Sequence, residues 1–107
     1  MYYVITLKQD STNTNLHETI LSTIDALRFD LDAIYFMDKA ASLCHKDNNL
    51  IDEYIKKAKE YNIELFVCGR ALKECNIQND AVLDNISITG YTELAINLSK
   101  AKYVLSF

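Results

Sequence analysis

Residues 64–76 read ELFVCGRALKECN. Leu65, Phe66 and Val67 form an apolar strand core over Glu64 to Val67, and it runs straight into Cys68 and Gly69. A short helix over about Arg70 to Cys75 follows. A strand that feeds a helix almost without a loop is one βα step, and the chain on either side repeats it.

Toward the N-terminus, YYVITL (Tyr2–Leu7) is aromatic and β-branched, and it precedes the polar run KQDSTNTN. Leu16, Ile20, Ile24 and Leu27 then recur at helical spacing, with Asn15 as N-cap and Glu18 three residues on. A second strand covers Ala33 to Met37, and DKAASLCHKDNN follows it, partly helical. Leu50, Ile51, Tyr54, Ile55 and Ala58 make the next helical stripe, which ends at Tyr61-Asn62. Beyond Cys75 lies the polar stretch NIQNDAVLDN. After it come a strand at Ile86–Thr89, a helix over Tyr91–Ser99 carrying Leu94, Ala95 and Leu98, and a closing strand YVLSF. The order βαβαβαβαβ predicts an α/β fold: a three-layer α/β/α sandwich on a five-stranded parallel sheet, one domain over 1–107.

Composition narrows the function classes. The chain has 107 residues, half of them hydrophobic, so it is long enough for one real core and too short for two. It has no proline, and its two glycines leave no Gly-rich nucleotide loop. A net charge of −4 argues against direct nucleic-acid binding, which needs clustered Lys and Arg. The one dense basic run, Lys56–Lys59, reads as the solvent face of a helix. With no apolar run of membrane-spanning length and no signal-peptide pattern, a cytoplasmic location without membrane contact is expected. Three cysteines in such a chain do not suggest a disulfide framework.

In an open parallel sheet, ligands bind beyond the carboxyl ends of the strands. That rim holds the KQDSTNTN loop, Asp38 through His45, Cys68 with Gly69 and Arg70, and Gly90 with Tyr91. Cys68 has the strongest chemical case. At the start of a helix, unpaired N–H groups and the positive end of the dipole favour a thiolate. Arg70 adds a positive charge two residues on, and Gly69 keeps the turn free of a side chain. The competing reading is a small buried residue that ends a core strand.

The other candidates are weaker. Cys75, beside Leu72, reads as core filler. Cys44 reads as an ordinary loop cysteine; its functional alternative, if the two strands are neighbours and bring it near Cys68, is a resolving thiol or a sulfur-accepting partner. Zinc needs four converging ligands, and Cys44, His45, Cys68 and Cys75 offer no C-x-x-C pair. His17 reads as an exposed residue of the first helix. Residues 10–15 resemble a phosphate cradle as much as a capped turn, but flavin is disfavoured without tryptophan or long covering loops. A phosphorelay receiver would carry an aspartate where Cys68 stands. No metal or organic cofactor is expected.

Three stretches together resemble the DsrE/DsrF-like family, and within it the TusD-type small sulfurtransferase subunits. AIYFMDKAA (Ala33–Ala41) is similar to the family's apolar second strand ending in an acidic turn. ELFVCGRALKECNI (Glu64–Ile77) is similar to the strand, active cysteine and helix of its signature. GYTELAINLSKAKYVLSF (Gly90–Phe107) resembles its last helix and strand. Asn76 stands where the family usually has glycine, and asparagine also tolerates the left-handed turn.

The resemblance implies a five-stranded parallel sheet and a persulfide carrier. The family cysteine, matched by Cys68, takes sulfane sulfur from a donor protein and passes it to an acceptor protein. In one branch this serves thiolation of a tRNA wobble uridine, in another sulfur oxidation. It further implies homo- or hetero-oligomers, trimeric or hexameric. Asp38 and Arg70 carry no family role. Two alternatives stand beside this one: a binding or structural subunit with Cys68 unused, and a small-ligand or nucleotide module using the KQDSTNTN rim.

Overall fold

A computed structural model describes residues 2–107. The elements are β1 (Tyr3–Leu7), α1 (Thr14–Leu27), β2 (Leu31–Phe36), α2 (Ile51–Tyr61), β3 (Glu64–Cys68), α3 (Gly69–Glu74), β4 (Ile86–Thr89), α4 (Tyr91–Lys100) and β5 (Tyr103–Ser106). Short 3-10 segments lie at Arg28–Asp30, Asp38–Cys44 and Asn79–Ala81.

All strand pairs are parallel, in the order β4-β3-β2-β1-β5. That order fixes the layers. From β1 to β4 each crossover steps the same way, so right-handed connections put α1, α2 and α3 on one face. The return from β4 to β5 crosses the whole sheet in the opposite direction, and α4 therefore lies on the other face. The buried side chains follow this division. Ile5, Leu7, Ile34, Phe36, Leu65 and Val67 pack with Ile20 and Ile24 of α1, Tyr54 of α2 and Leu72 of α3. Val4, Ala33 and Tyr35 pack with Leu94 of α4, with Phe66 and Leu98 against them. The sandwich is thus three-layered as expected, with unequal covers.

Element ends shift in ways that local chemistry explains. The N-cap of α1 is Asn13, whose side chain accepts from the Leu16 N–H at 3.2 Å, so the expected cap at Asn15 lies inside the helix. Here the last asparagine of the polar run loses to an earlier one, because the helix can begin as soon as a side-chain oxygen reaches the third N–H beyond it. β3 extends one residue further than expected, to Cys68.

His17 contradicts the sequence reading outright. It is buried, not exposed. Its Nε2 lies 2.6 Å from the Asp10 carbonyl and its Nδ1 2.7 Å from the Tyr54 hydroxyl. A carbonyl only accepts, so Nε2 carries the proton and Nδ1 receives the one from Tyr54. This imidazole ties the β1–α1 loop to α2, and Tyr54 in turn meets Phe36 of β2 edge-on at 5.6 Å.

On the outer side of the same two helices, Asp25 joins Lys57 at 2.7 Å and the Tyr61 hydroxyl at 3.0 Å. These hydrogen bonds hold the Asp25 carboxyl below the usual carboxylate range. A depressed folded-state value means stability that is present above the ordinary carboxylate pKa and lost as pH falls through the lowered one. Urea midpoints of the parent and of Asp25→Asn should therefore differ at neutral pH and converge in acid. The group is solvent-exposed, so the difference is small. A gap that persists in strong acid would show that the pair is not its source.

Candidate functional site

Three strand ends build the site. β2 ends at Phe36, and the Met37 N–H bonds to the Leu7 carbonyl at 2.8 Å. Asp38 then takes a left-handed backbone, φ 49°, which turns the chain sharply into the 3-10 segment. Aspartate tolerates that region better than most residues. β3 ends at Cys68 in extended conformation, and Gly69 is already helical. β4 ends at Thr89, with Gly90 as N-cap of α4 and Tyr91 its first residue.

The helix after Cys68 is held at its far end. The Ile77 N–H returns to the Leu72 carbonyl at 2.9 Å and the Asn76 N–H to Lys73 at 3.1 Å. Asn76 sits at φ 57°, the left-handed cap position that asparagine was expected to fill in place of glycine. Because Leu72 is fully buried, this closure anchors α3 to the sheet and with it the geometry around Cys68.

The three ends surround a cavity of about 240 Å³. Met37 and Asp38 line it from β2, Cys68 with Arg70 and Glu74 from β3 and α3, and Tyr91 from α4. Cys68 is only 7% exposed, whereas Tyr91 at the same cavity is 66% exposed. Of the sequence-derived rim candidates, Asp38, Cys68, Arg70 and Tyr91 thus share one cavity.

Arg70 does not stand as a free positive charge beside the sulfur. Its Nε lies 3.4 Å from Glu74 Oε1, an exposed i,i+4 pair that shares the charge with a carboxylate. Glu74 escaped the sequence reading, although its spacing from Arg70 on a helix was a usable signal. Gly69 differs from expectation as well. Its φ is not positive, and a Cβ there would meet Ile88 Cγ2 at 3.4 Å and the Thr89 carbonyl at 3.7 Å, which are ordinary contacts. The turn does not demand glycine.

The other cysteines lie outside the lining of this cavity. Cys44 ends the 3-10 segment after β2, fully buried, and its carbonyl accepts from Leu83 N–H at 3.3 Å. Burial pushes its thiol far above the ordinary range. β2 and β3 are neighbours, as the resolving-thiol idea required, but the segment carries Cys44 into the core. Cys75 is half-buried against that core, with its sulfur 3.7 Å from the Asp38 carbonyl. Burial, then the Glu74 carboxylate, raise its thiol.

The 10–15 loop spends its polar groups on itself: Asp10 accepts from the Thr12 N–H at 3.0 Å and from the Thr12 hydroxyl. Among the described residues, no group of three or more His, Cys, Asp or Glu side chains is placed to hold a metal ion. Nor is any described helix long and apolar enough to cross a membrane.

Fold and site together define a small parallel α/β domain with one thiol in a cavity at the carboxyl rim of its sheet. The sequence profile of the DsrE/DsrF-like family matches residues 2–107, and the chain belongs to that family, whose members are generally tied to sulfur relay. Among curated proteins, none matches it significantly in sequence. Solved structures share the fold. The ychN protein from E. coli superposes with a TM-score of 0.80 at 17% identity, covering 100% of this chain and 99% of that one. MTH1491 from Methanobacterium thermoautotrophicum, a protein of unknown function, gives 0.78 at 10% identity with both chains fully covered. BT1422 from Bacteroides thetaiotaomicron, also of unknown function, gives 0.67 at 14%, covering 97% of this chain and 94% of that one.

Proposed function

We propose that this protein is a persulfide carrier working through Cys68. The observation that carries the reading is the position of Cys68 at the carboxyl end of β3, lining the rim cavity in a chain of this family. The Cys68 thiolate attacks the outer sulfur of a donor persulfide. A new S–S bond forms on Cys68, the donor's S–S bond breaks, and the donor leaves as a thiolate. An acceptor thiolate then attacks the outer sulfur of the Cys68 persulfide, and Cys68 leaves as thiolate. No net oxidation occurs, and neither a metal nor a general base is needed.

Donor and acceptor are proteins, and the relay serves tRNA 2-thiouridine formation or sulfur oxidation, the two settings the family resemblance suggests. The site is cytoplasmic, and the protein works as a trimer or hexamer, alone or with related subunits. A physical reason for assembly is the edge strand β5, whose Tyr103 and Val104 are 45% and 42% exposed beside unpaired backbone.

The low exposure of Cys68 and its contacts with the main core favour a second reading, a binding or structural subunit that leaves the thiol unused. Loading separates the two. Reduced protein is treated with a low-molecular-weight persulfide, and the Cys68 peptide is weighed. One added sulfur atom, removable by reductant, is the expected result. An unmodified Cys68 peptide would leave the subunit reading.

A further inference from the structure

Beside the buried tyrosines and cysteines, Thr6, His17 and Thr89 are the buried polar residues among those described. Two of them have short partners: the Thr6 hydroxyl donates to Ser106 at 2.8 Å, and both His17 nitrogens are held within 2.7 Å. Thr89 differs. It is 3% exposed, and the hydrogen bond of its hydroxyl is a long one, 3.4 Å, to the carbonyl of the adjacent Gly90. A buried hydroxyl normally has a better partner than that.

Its place in the sheet points to one that becomes available when the neighbouring sulfur is charged. The β3–β4 register pairs Cys68 with Thr89. Register partners in a parallel ladder project to the same face, on strands roughly 4.8 Å apart, so the Thr89 and Cys68 side chains are neighbours on that face, with the hydroxyl turned to Gly90 in this structure. Rotation of the Thr89 side chain about Cα–Cβ turns its oxygen toward the sulfur, and the hydroxyl proton then swings freely about the C–O bond. We propose that the Thr89 hydroxyl is the hydrogen-bond donor to the Cys68 sulfur whenever that sulfur is anionic. The assignment builds on the carrier reading, in which Cys68 is a thiolate both when it attacks and when it leaves.

The charged groups around the cavity give such a donor something to do. Asp38 and Glu74 oppose a further negative charge, and Arg70 is shared with Glu74. A neutral donor on the neighbouring strand stabilises the anion without adding charge, and it leaves the uncharged thiol nearly unaffected. Hydrogen bonds to a charged partner are the stronger kind.

The test compares Thr89→Val, which keeps shape and loses the donor, with Thr89→Ser, which keeps the donor. Cys68 alkylation is followed in the reduced full chain at about pH 7, with Cys75 in the same sample as reference. Thr89→Val should slow Cys68 roughly tenfold, as loss of a donor to a charged group does, while Cys75 is unchanged and Thr89→Ser stays near the parent. The deficit should close at about pH 10, where a thiol ionises unaided.

A Cys68 rate within about twofold of the parent in Thr89→Val, below the size of such a bond, would overturn the assignment. So would an equal loss in the serine variant, which would mark a packing effect. Thr89→Ala serves the same comparison if the valine variant does not fold. Persulfide loading is scored separately. A parent that loads while Thr89→Val alkylates normally sinks this assignment alone. A parent that never loads sinks the carrier reading, and the alkylation rates still decide the role of Thr89.

Discussion

Replacing His17 by alanine should lower the unfolding free energy by about 2–4 kcal/mol, an effect of core size. Two causes add. The imidazole leaves a void between the β1–α1 loop and α2, since the residue is 1% exposed. The Tyr54 hydroxyl, on a fully buried side chain, also loses its acceptor. Burial already raises Tyr54 well above the usual phenol range, so ionising the orphaned hydroxyl offers no relief.

Tyr54→Phe makes the complementary change. It removes the donor and keeps the ring against Phe36, so the loss should be smaller, about 1–2 kcal/mol. Urea unfolding at neutral pH measures both. A loss under about 0.5 kcal/mol for His17→Ala, the size expected at an exposed surface position, would contradict the buried bridge.

The second large effect concerns the chemistry. Cys68→Ser should abolish persulfide loading, because an alkoxide is not accessible at neutral pH and a hydroxyl cannot carry sulfane sulfur. Cys44→Ser and Cys75→Ser should leave loading on Cys68 intact. Cys44 is sealed in the core, and Cys75 lies outside the lining of the cavity. Cys44→Ser does bury a hydroxyl in an apolar site, so this variant should be less stable while still loading. Peptide-resolved mass spectrometry reads each cysteine separately. Loading that survives in Cys68→Ser, on Cys75 for instance, would move the chemistry to a different thiol.

The strand and helix pattern was readable because its periods are strong and the apolar residues sit where a covered sheet needs them. Leu65 and Val67 face the large core, and Phe66 between them faces α4, so the pattern of residues 64–68 is that of a strand covered on both faces. The rim candidates Asp38, Cys68 and Arg70 were found through the rule that strand ends converge, which needs topology only.

What sequence could not supply was the direction of individual side chains. His17 lies on α1 between Leu16 and Glu18, and only the fold places Tyr54 and the Asp10 carbonyl on its two nitrogens. Arg70 reads as a free charge only when its i,i+4 spacing to Glu74 is overlooked, a signal the sequence did carry. Cys44 looked like a loop thiol because the 3-10 segment that turns it inward has no strong period. Thr89 read as an ordinary strand former, and its place beside Cys68 is a matter of register between strands 21 positions apart in sequence numbering, 89 − 68.

The most direct measurement is site-resolved alkylation of the reduced protein at about pH 6, where an ordinary thiol is almost wholly protonated. Exposure alone ranks Cys75 first, since Cys75 is half-buried while Cys68 is 7% exposed and Cys44 fully buried. The carrier account ranks Cys68 first, well ahead of Cys75, with Cys44 inert. If Cys68 reacts no faster than Cys44, its sulfur is packing in a core strand, and the persulfide carrier is contradicted.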